Sequence, residues 1–151
     1  MKRLVASWFG TGFIPRRLFG TDSGAGTVGA LFALIPALLL GTVGWAAQLA
    51  GVFAVAVGSL WSAAPFTRSG EDPNWIVVDE AAGGMLSVVG LTSGWWWIPA
   101  FLAFRLFDGT KWAPGVAAAE RLRGSIGVTA DDLVAGAWAL LLGWALRLVF
   151  P

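Results

Sequence analysis

The 151-residue chain consists of long apolar segments separated by short polar ones. No charged residue occurs between Ser23 and Thr67. Because a bilayer core takes roughly 20 apolar residues of helix, this stretch predicts two membrane spans. The break between them is expected at 41–48, where glycines, a threonine and a glutamine interrupt the apolar run.

Three further apolar segments, at 75–91, 95–107 and 133–149, complete a predicted bundle of about five spans. A short surface helix is predicted at 114–123, because a proline lies near its start and a glycine follows its end. The N-terminal segment is expected to be retained as an interfacial or re-entrant element. We therefore predict an all-α, polytopic membrane helical bundle that forms a single domain.

The composition agrees with a membrane protein and narrows the chemistry. Hydrophobic residues make up 57% of the chain, and charged residues make up 13%, about half the share of a soluble domain. These values exclude a cytosolic globular enzyme and a nucleic-acid binder that uses a basic surface. The chain has no Cys, His or Tyr, so catalysis would depend on carboxylates, Lys, Arg, hydroxyls and backbone groups.

Charged loops alternate with uncharged ones, and this alternation predicts the orientation of the spans. In the five-span arrangement the loops at 41–48 and 91–95 carry no basic residue. The basic residues of the opposite side are Lys2, Arg3, Arg16, Arg17, Arg68, Lys111, Arg121 and Arg123. By the positive-inside rule, the basic side is expected to face the cytoplasm.

Carboxylates gather at the predicted cytoplasmic ends of the spans. Six of the nine acidic residues lie there: Asp72, Asp79, Glu80, Asp108, Asp131 and Asp132. A carboxylate inside a membrane segment is costly and usually marks function. Asp79 and Glu80 are the strongest candidates, because apolar or small residues flank them on both sides.

So many acids in one region require compensating charge, which nearby Arg and Lys side chains and one or two divalent cations would supply. Oxygen ligands alone select Mg²⁺, Mn²⁺ or Ca²⁺. Carboxylate-bound Mg²⁺ beside Arg and Lys at a membrane face suits phosphoryl chemistry on a lipid headgroup.

Structural roles remain open for some of these acids. Asp72 precedes Pro73, which suits a helix N-cap followed by proline at the first helical position. Thr129 and Asp132 could cap the last helix, with the acids complementing the helix dipole.

Two other features also have a functional and a structural interpretation. Arg105 and Asp108 are three residues apart and could form a simple ion pair. The glycine-rich run at 24–29 opens the first span, where backbone N–H groups and the Thr27 hydroxyl could hold a phosphate. The same glycines could instead serve close helix packing.

Five sequence blocks occur in the order that is typical of one known family. The blocks are Trp8-Phe9-Gly10-Thr11-Gly12, Gly26-Thr27-Val28-Gly29, Asp72-Pro73-Asn74-Trp75-Ile76-Val77-Val78-Asp79-Glu80, Phe104-Arg105-Leu106-Phe107-Asp108 with Lys111, and Gly127-Val128 with Asp131-Asp132. Through them the chain resembles the phosphatidylglycerophosphatase A family of bacterial membrane lipid phosphatases.

The resemblance implies a phosphoric monoester hydrolase that converts phosphatidylglycerophosphate to phosphatidylglycerol and phosphate. It further implies dependence on Mg²⁺, a phospholipid substrate in the bilayer, and action at the cytoplasmic face of the bacterial inner membrane. It implies no nucleic-acid partner and leaves the oligomeric state open.

Residue roles follow from this hypothesis. The expected metal ligands are Asp72, Asp79, Glu80, Asp131 and Asp132. The expected catalytic residues are Asp79, Glu80, Asp108, Arg105 and Lys111. The expected substrate-binding residues are Gly26, Thr27, Arg105 and Lys111. The nucleophile would be a metal-activated water, which we favour, or an aspartate.

Three other functions share some of these features. A carboxylate-based cation or proton transporter would also carry intramembrane acids, but nearer the bilayer midplane. A CDP-alcohol phosphotransferase would use carboxylates and Mg²⁺ with a different spacing of aspartates. A membrane scaffold without catalytic activity would tolerate loss of the acids.

Overall fold

The computed structural model describes residues 1–67 and 73–150, and every regular element within these ranges is helical. The elements are α1 (Lys2–Ala6), a 3-10 helix (Thr11–Phe13), α2 (Ile14–Phe19), α3 (Ala25–Val43), α4 (Trp45–Ala63), α5 (Val78–Ser87), α6 (Trp97–Thr110), α7 (Val116–Glu120) and α8 (Ser125–Val149). The predicted all-α fold is therefore confirmed.

Three of the described helices, α3, α4 and α8, are long and apolar enough to cross a bilayer. They contain 19, 19 and 25 residues, or about 28 to 38 Å of helix. Their outer faces carry apolar side chains, among them Phe32 and Ile35 on α3 and Phe53 on α4. The break between the first two spans lies at Gly44, inside the predicted range.

Two shorter helices occupy the regions where the third and fourth spans were predicted. Helix α5 has 10 residues and α6 has 14, about 15 and 21 Å, which is less than the roughly 30 Å of a bilayer core. Eight of the ten α5 residues are buried, because α5 packs among α3, α4 and α8. The predicted number of five spans is not confirmed.

A close crossing of α5 and α8 sets the geometry of the bundle. A side chain at Gly136 would place its Cβ only 2.5 Å from the backbone oxygen of Gly83. Asp79 and Asp132 each lie four residues before these glycines, so both carboxylates occupy the face where the two helices meet. The glycine pair therefore brings acids that are distant in sequence to one place.

The capping interpretation of the last helix is wrong, and Asp72, the other proposed cap, lies outside the described residues. Helix α8 begins at Ser125 after an N-cap at Gly124, so Asp131 and Asp132 lie about two turns into the helix rather than at its start. Helix α5 begins at Val78, several residues after Pro73, which therefore is not its first residue. The predicted surface helix is confirmed as the shorter α7.

The N-terminal segment packs against the residues that lead into α5. The Val77 amide donates a hydrogen bond to the Ala6 carbonyl at 2.9 Å. A Cβ on Gly12 would clash with the Trp75 backbone, so this glycine permits the contact. The Trp75 ring lies between Phe13 and Phe66, with centroids 5.4 and 5.0 Å away. The segment thus helps to hold the start of α5 in position.

The opposite end of the bundle is held by polar contacts to the turn after α5. The buried Gln48 side chain accepts a hydrogen bond from the Gly90 amide at 2.8 Å and donates one to the Ala37 carbonyl at 3.1 Å. Arg147 donates to the Gly90 carbonyl at 2.9 Å. Residues 78–90 therefore lead from the acidic end of the bundle to the opposite end.

Candidate metal and phosphate site

Three carboxylates from two helices form a cluster at one end of the bundle. Asp79 and Glu80 come from the first turn of α5, and Asp132 comes from α8. One ligand oxygen from each residue lies within 4.8 Å of the others. Asp79 and Asp132 are each only 3% exposed, so water screens their charges poorly. We call this group the three-carboxylate cluster.

Helix α3 approaches this cluster through a glycine. A Cβ on Gly26 would fall onto the Glu80 carboxylate, with the Cδ atom 2.8 Å away. The next turn repeats the pattern, because a Cβ on Gly29 would lie 2.6 Å from the Val77 Cβ. The glycines of this run therefore serve close packing of α3 on α5, and that packing places Glu80.

Beside the cluster, two acids and two bases form an ion-pair network. Asp108 accepts hydrogen bonds from Arg105 Nη1 and Lys111 Nζ, both at 2.7 Å. Lys111 Nζ also donates to Asp131 at 2.7 Å. We call Arg105, Asp108, Lys111 and Asp131 the ion-pair network.

Lys111 is held in its charged form by this network. Burial alone would lower the pKa of Lys111, but the hydrogen bonds and charges of Asp108 and Asp131 outweigh burial and raise that pKa above its ordinary value. The ammonium therefore stays charged and bridges the carboxylates of Asp108 and Asp131. An ammonium that contacts two acids at 2.7 Å has little free capacity to bind a substrate phosphate.

Arg105 connects the network to an open cleft. Its Nη2 atom donates to the Thr27 hydroxyl at 3.3 Å. Both residues line a cleft of about 350 Å³ together with Glu80 and Asn74. The cleft therefore has a hydroxyl, a guanidinium and one member of the three-carboxylate cluster on its walls, which suits a phosphate group beside a metal ion.

The three-carboxylate cluster fits a divalent cation. Within the described residues, Asp132 forms no ion pair and its Oδ1 atom is buried without a hydrogen-bond partner. A buried carboxylate next to two others is unfavourable unless a positive charge compensates it. Three oxygen donors from carboxylates are the ligands that Mg²⁺ prefers.

The structure brings together most of the residues that the sequence singled out. Asp79, Glu80 and Asp132 form one group, on which Gly26 packs through Glu80. The ion-pair network contacts Thr27 through Arg105. The expected ion pair of Arg105 and Asp108 is present, within a larger network. Asp72, an expected metal ligand, lies outside the described residues.

Asp131 is placed differently from the other expected metal ligands. Its side chain contacts Lys111 rather than the three-carboxylate cluster. The cleft is also lined by Asp22, Ser23 and Asn74, which were not among the expected site residues. Polar residues beside helix ends are common, so nothing in their local pattern distinguished them.

Comparison with known proteins matches the chain to phosphatases. The family model described as phosphatidylglycerophosphatase A matches residues 4–147. A relative from Bacteroides thetaiotaomicron is named "Putative phosphatidylinositol-3-phosphatase". It is 35% identical over an alignment of 155 residues, which covers 92% of this chain and 89% of the relative. No solved structure matches the chain.

Proposed function

The chain belongs to the phosphatidylglycerophosphatase A family, and we propose that it hydrolyses phosphatidylglycerophosphate to phosphatidylglycerol and phosphate. That the protein is a membrane phosphatase acting on lipids follows from the family and from its apolar helices. The lipid headgroup, the use of Mg²⁺ and the cytoplasmic face of the inner membrane are the proposed parts.

One observation carries the proposal. The three-carboxylate cluster lies beside a cleft whose walls also carry the Arg105 guanidinium and the Thr27 hydroxyl. A phosphomonoester needs cationic and hydrogen-bonding groups around its oxygens and a nucleophile in line with the leaving group. The cleft offers such groups on one side and a place for a cation on the other.

In this proposal Asp79, Glu80 and Asp132 would hold Mg²⁺. When bound, the ion supplies Lewis-acid stabilisation of phosphoryl charge and lowers the pKa of a bound water. Arg105 and Thr27 orient the phosphate, and the Arg105 guanidinium offsets the negative charge that develops on its oxygens. Water attacks phosphorus and the P–O bond to glycerol breaks. The proton that the water loses ends on the glycerol oxygen, so the products are phosphate and phosphatidylglycerol.

The ion-pair network has a supporting role in this scheme. Asp108 fixes the Arg105 guanidinium from one side, and Lys111 links Asp108 to Asp131 on α8. Arg105 is therefore held at the cleft by a chain of contacts that reaches a second helix. Asp131 acts through that chain rather than as a direct ligand.

A phosphate-release assay on the purified chain tests the proposal. Phosphatidylglycerophosphate, phosphatidylinositol 3-phosphate and phosphatidic acid are compared at equal surface concentration, with Mg²⁺ or with EDTA. We expect the highest rate with phosphatidylglycerophosphate and loss of that rate in EDTA. A higher rate with phosphatidylinositol 3-phosphate would instead favour the activity in the relative's name.

The same preparation separates the phosphatase from a transporter. Reconstituted into liposomes, the protein should release phosphate without carrying cations or protons across the membrane. Ion flux in the absence of phosphate release would contradict the proposal and favour the transporter alternative.

A further inference from the structure

A second cleft, separate from the one beside the carboxylates, lies on the N-terminal segment. Arg3 from α1, Phe13, and Arg16 and Arg17 from α2 line it, and its volume is about 430 Å³. None of these residues lines the cleft of Thr27 and Glu80. Three guanidinium groups therefore surround one space that the proposed phosphatase site does not use.

Aromatic rings hold one of these arginines in place. The Arg3 guanidinium carbon lies 5.2 Å from the Phe13 ring centroid and 5.4 Å from that of Trp75. The two rings are stacked with an interplanar angle of 19°. A guanidinium over a ring face keeps its N–H donors available at its edge, so Arg3 is positioned to bind an anion.

The pocket carries excess positive charge. Among the described residues, its arginines form one ion pair, from Arg16 Nη1 to Asp22 Oδ2 at 3.5 Å, and that contact is largely exposed to solvent. Arg3 and Arg17 form none within residues 1–67 and 73–150. A concave surface with two or more uncompensated guanidinium groups attracts a phosphate-bearing ligand.

Apolar side chains next to the pocket indicate that this phosphate belongs to a lipid. Leu18 and Phe19 follow the two arginines on α2 and are 69% and 77% exposed. A short helix with Arg beside exposed Leu and Phe suits the membrane interface, where apolar side chains enter the acyl region and arginines reach the phosphates. Free phosphate would need no such apolar border.

We propose that the pocket of Arg3, Phe13, Arg16 and Arg17 binds the phosphate of an anionic phospholipid headgroup. The proposal is independent of the hydrolytic function, because no residue of the pocket belongs to the three-carboxylate cluster or the ion-pair network. The Arg16–Asp22 contact links this pocket to the cleft of Thr27 and Glu80, because Asp22 lines that cleft. A bound lipid would therefore lie next to the substrate site.

The test measures lipid binding to the full chain in a non-ionic detergent by native mass spectrometry. The probe is dihexanoyl-phosphatidylserine, which has no phosphomonoester to hydrolyse. The variant R16Q/R17Q removes two charges from the pocket, and R121Q/R123Q removes two exposed charges elsewhere. We expect about 10-fold weaker binding for the first variant and less than 2-fold for the second.

Three comparisons decide the outcome. Equal weakening in both double variants, or no weakening in either, would overturn the proposal. Saturation of the pocket by inorganic phosphate at the same concentration as the lipid would overturn the assignment to a lipid. Binding of zwitterionic dihexanoyl-phosphatidylcholine should be weaker than that of the serine lipid. If R16Q/R17Q does not fold, the single exposed change R17E provides the same test, with at least the same expected loss.

Discussion

Two groups of carboxylates lie side by side at one end of the bundle, and they are held in different ways. In the ion-pair network, Asp108 and Asp131 are matched by two cations at 2.7 Å. In the three-carboxylate cluster, Asp132 has no ion pair among the described residues. The two acids of the first group are balanced by two cations of the protein, whereas Asp132 in the second group has a buried oxygen without a hydrogen-bond partner among the described residues.

The difference is sharpest between two consecutive residues. Asp131 and Asp132 are neighbours on α8, where consecutive side chains point about 100° apart. One therefore contacts Lys111, and the other faces Asp79 and Glu80. Residue type alone does not define a metal ligand here, because the direction of the side chain decides which partners each carboxylate has.

Removing the carboxylate charge at Asp132 should cause the largest loss of phosphate release. We expect D132N to lower phosphate release more than about 100-fold, beyond the loss typical of a residue that only supports a metal ligand. The variant should still insert and fold, because asparagine keeps the shape of the side chain. The measurement is phosphate release per folded protein at saturating Mg²⁺.

Glu120 offers a matched control for this change, since it is an exposed acid on α7. E120Q removes the same charge and should leave turnover within 2-fold of the unmodified protein. Equal activity of D132N and the unmodified protein would mean that the three-carboxylate cluster is not the site of chemistry.

A smaller effect is expected from G26A, which changes the residue that packs on Glu80. The added Cβ would meet the Glu80 carboxylate, which can move because it ends a flexible side chain. We expect the Mg²⁺ concentration for half-maximal activity to rise about 10-fold, the low end of the effect of disturbing metal-ligand orientation. A titration of activity against Mg²⁺ measures it.

Gly58 on α4 is the control glycine, because a Cβ there would make only an ordinary contact with Val5 at 3.8 Å. G58A should leave the Mg²⁺ titration unchanged. If both alanine variants shift it equally, the cause is general packing rather than the position of Glu80.

Much of this site could be predicted from the sequence, because charge is rare in apolar segments. Asp79 and Glu80 stand out for that reason, and the uncharged run before them predicts α3, α4 and their break. A carboxylate in such a place is costly without a partner, which makes these residues candidates for function.

Other features depend on contacts that no local pattern contains. Helix α8 begins at Ser125, before the predicted span at 133–149, because 125–132 mixes polar and apolar residues without the long apolar run that marks a span. The separation of Asp131 from the cluster depends on Lys111, which is 20 residues away in sequence. The Gly83–Gly136 crossing likewise appears only when α5 and α8 are packed together.

Substitution of Asp131 should lower turnover less than the same substitution of Asp132. D131N removes one acceptor charge of Lys111 but leaves Asp108 to hold both cations. We expect about a 10-fold loss in turnover and no shift in the Mg²⁺ titration, since Asp131 acts through the positions of Lys111 and Arg105. If D131N instead raised the Mg²⁺ concentration for half-maximal activity as strongly as G26A, Asp131 would be a direct ligand, as its sequence position predicts.

The smallest effect on activity is expected at the opposite end of the bundle. Gln48 is buried there and accepts a hydrogen bond from the Gly90 amide at 2.8 Å. The whole of α5 and the turn after it separate this contact from Asp79 and Glu80. Q48L would leave that amide without its acceptor and cost about 1–3 kcal/mol of folding stability. Thermal unfolding in detergent should show a lower melting temperature, while phosphate release per folded protein stays within 2-fold. The contrary result is a loss of turnover near that of D131N at temperatures where Q48L is folded. It would show that the turn after α5 influences the position of Asp79 and Glu80, so that the two ends of the bundle are not independent.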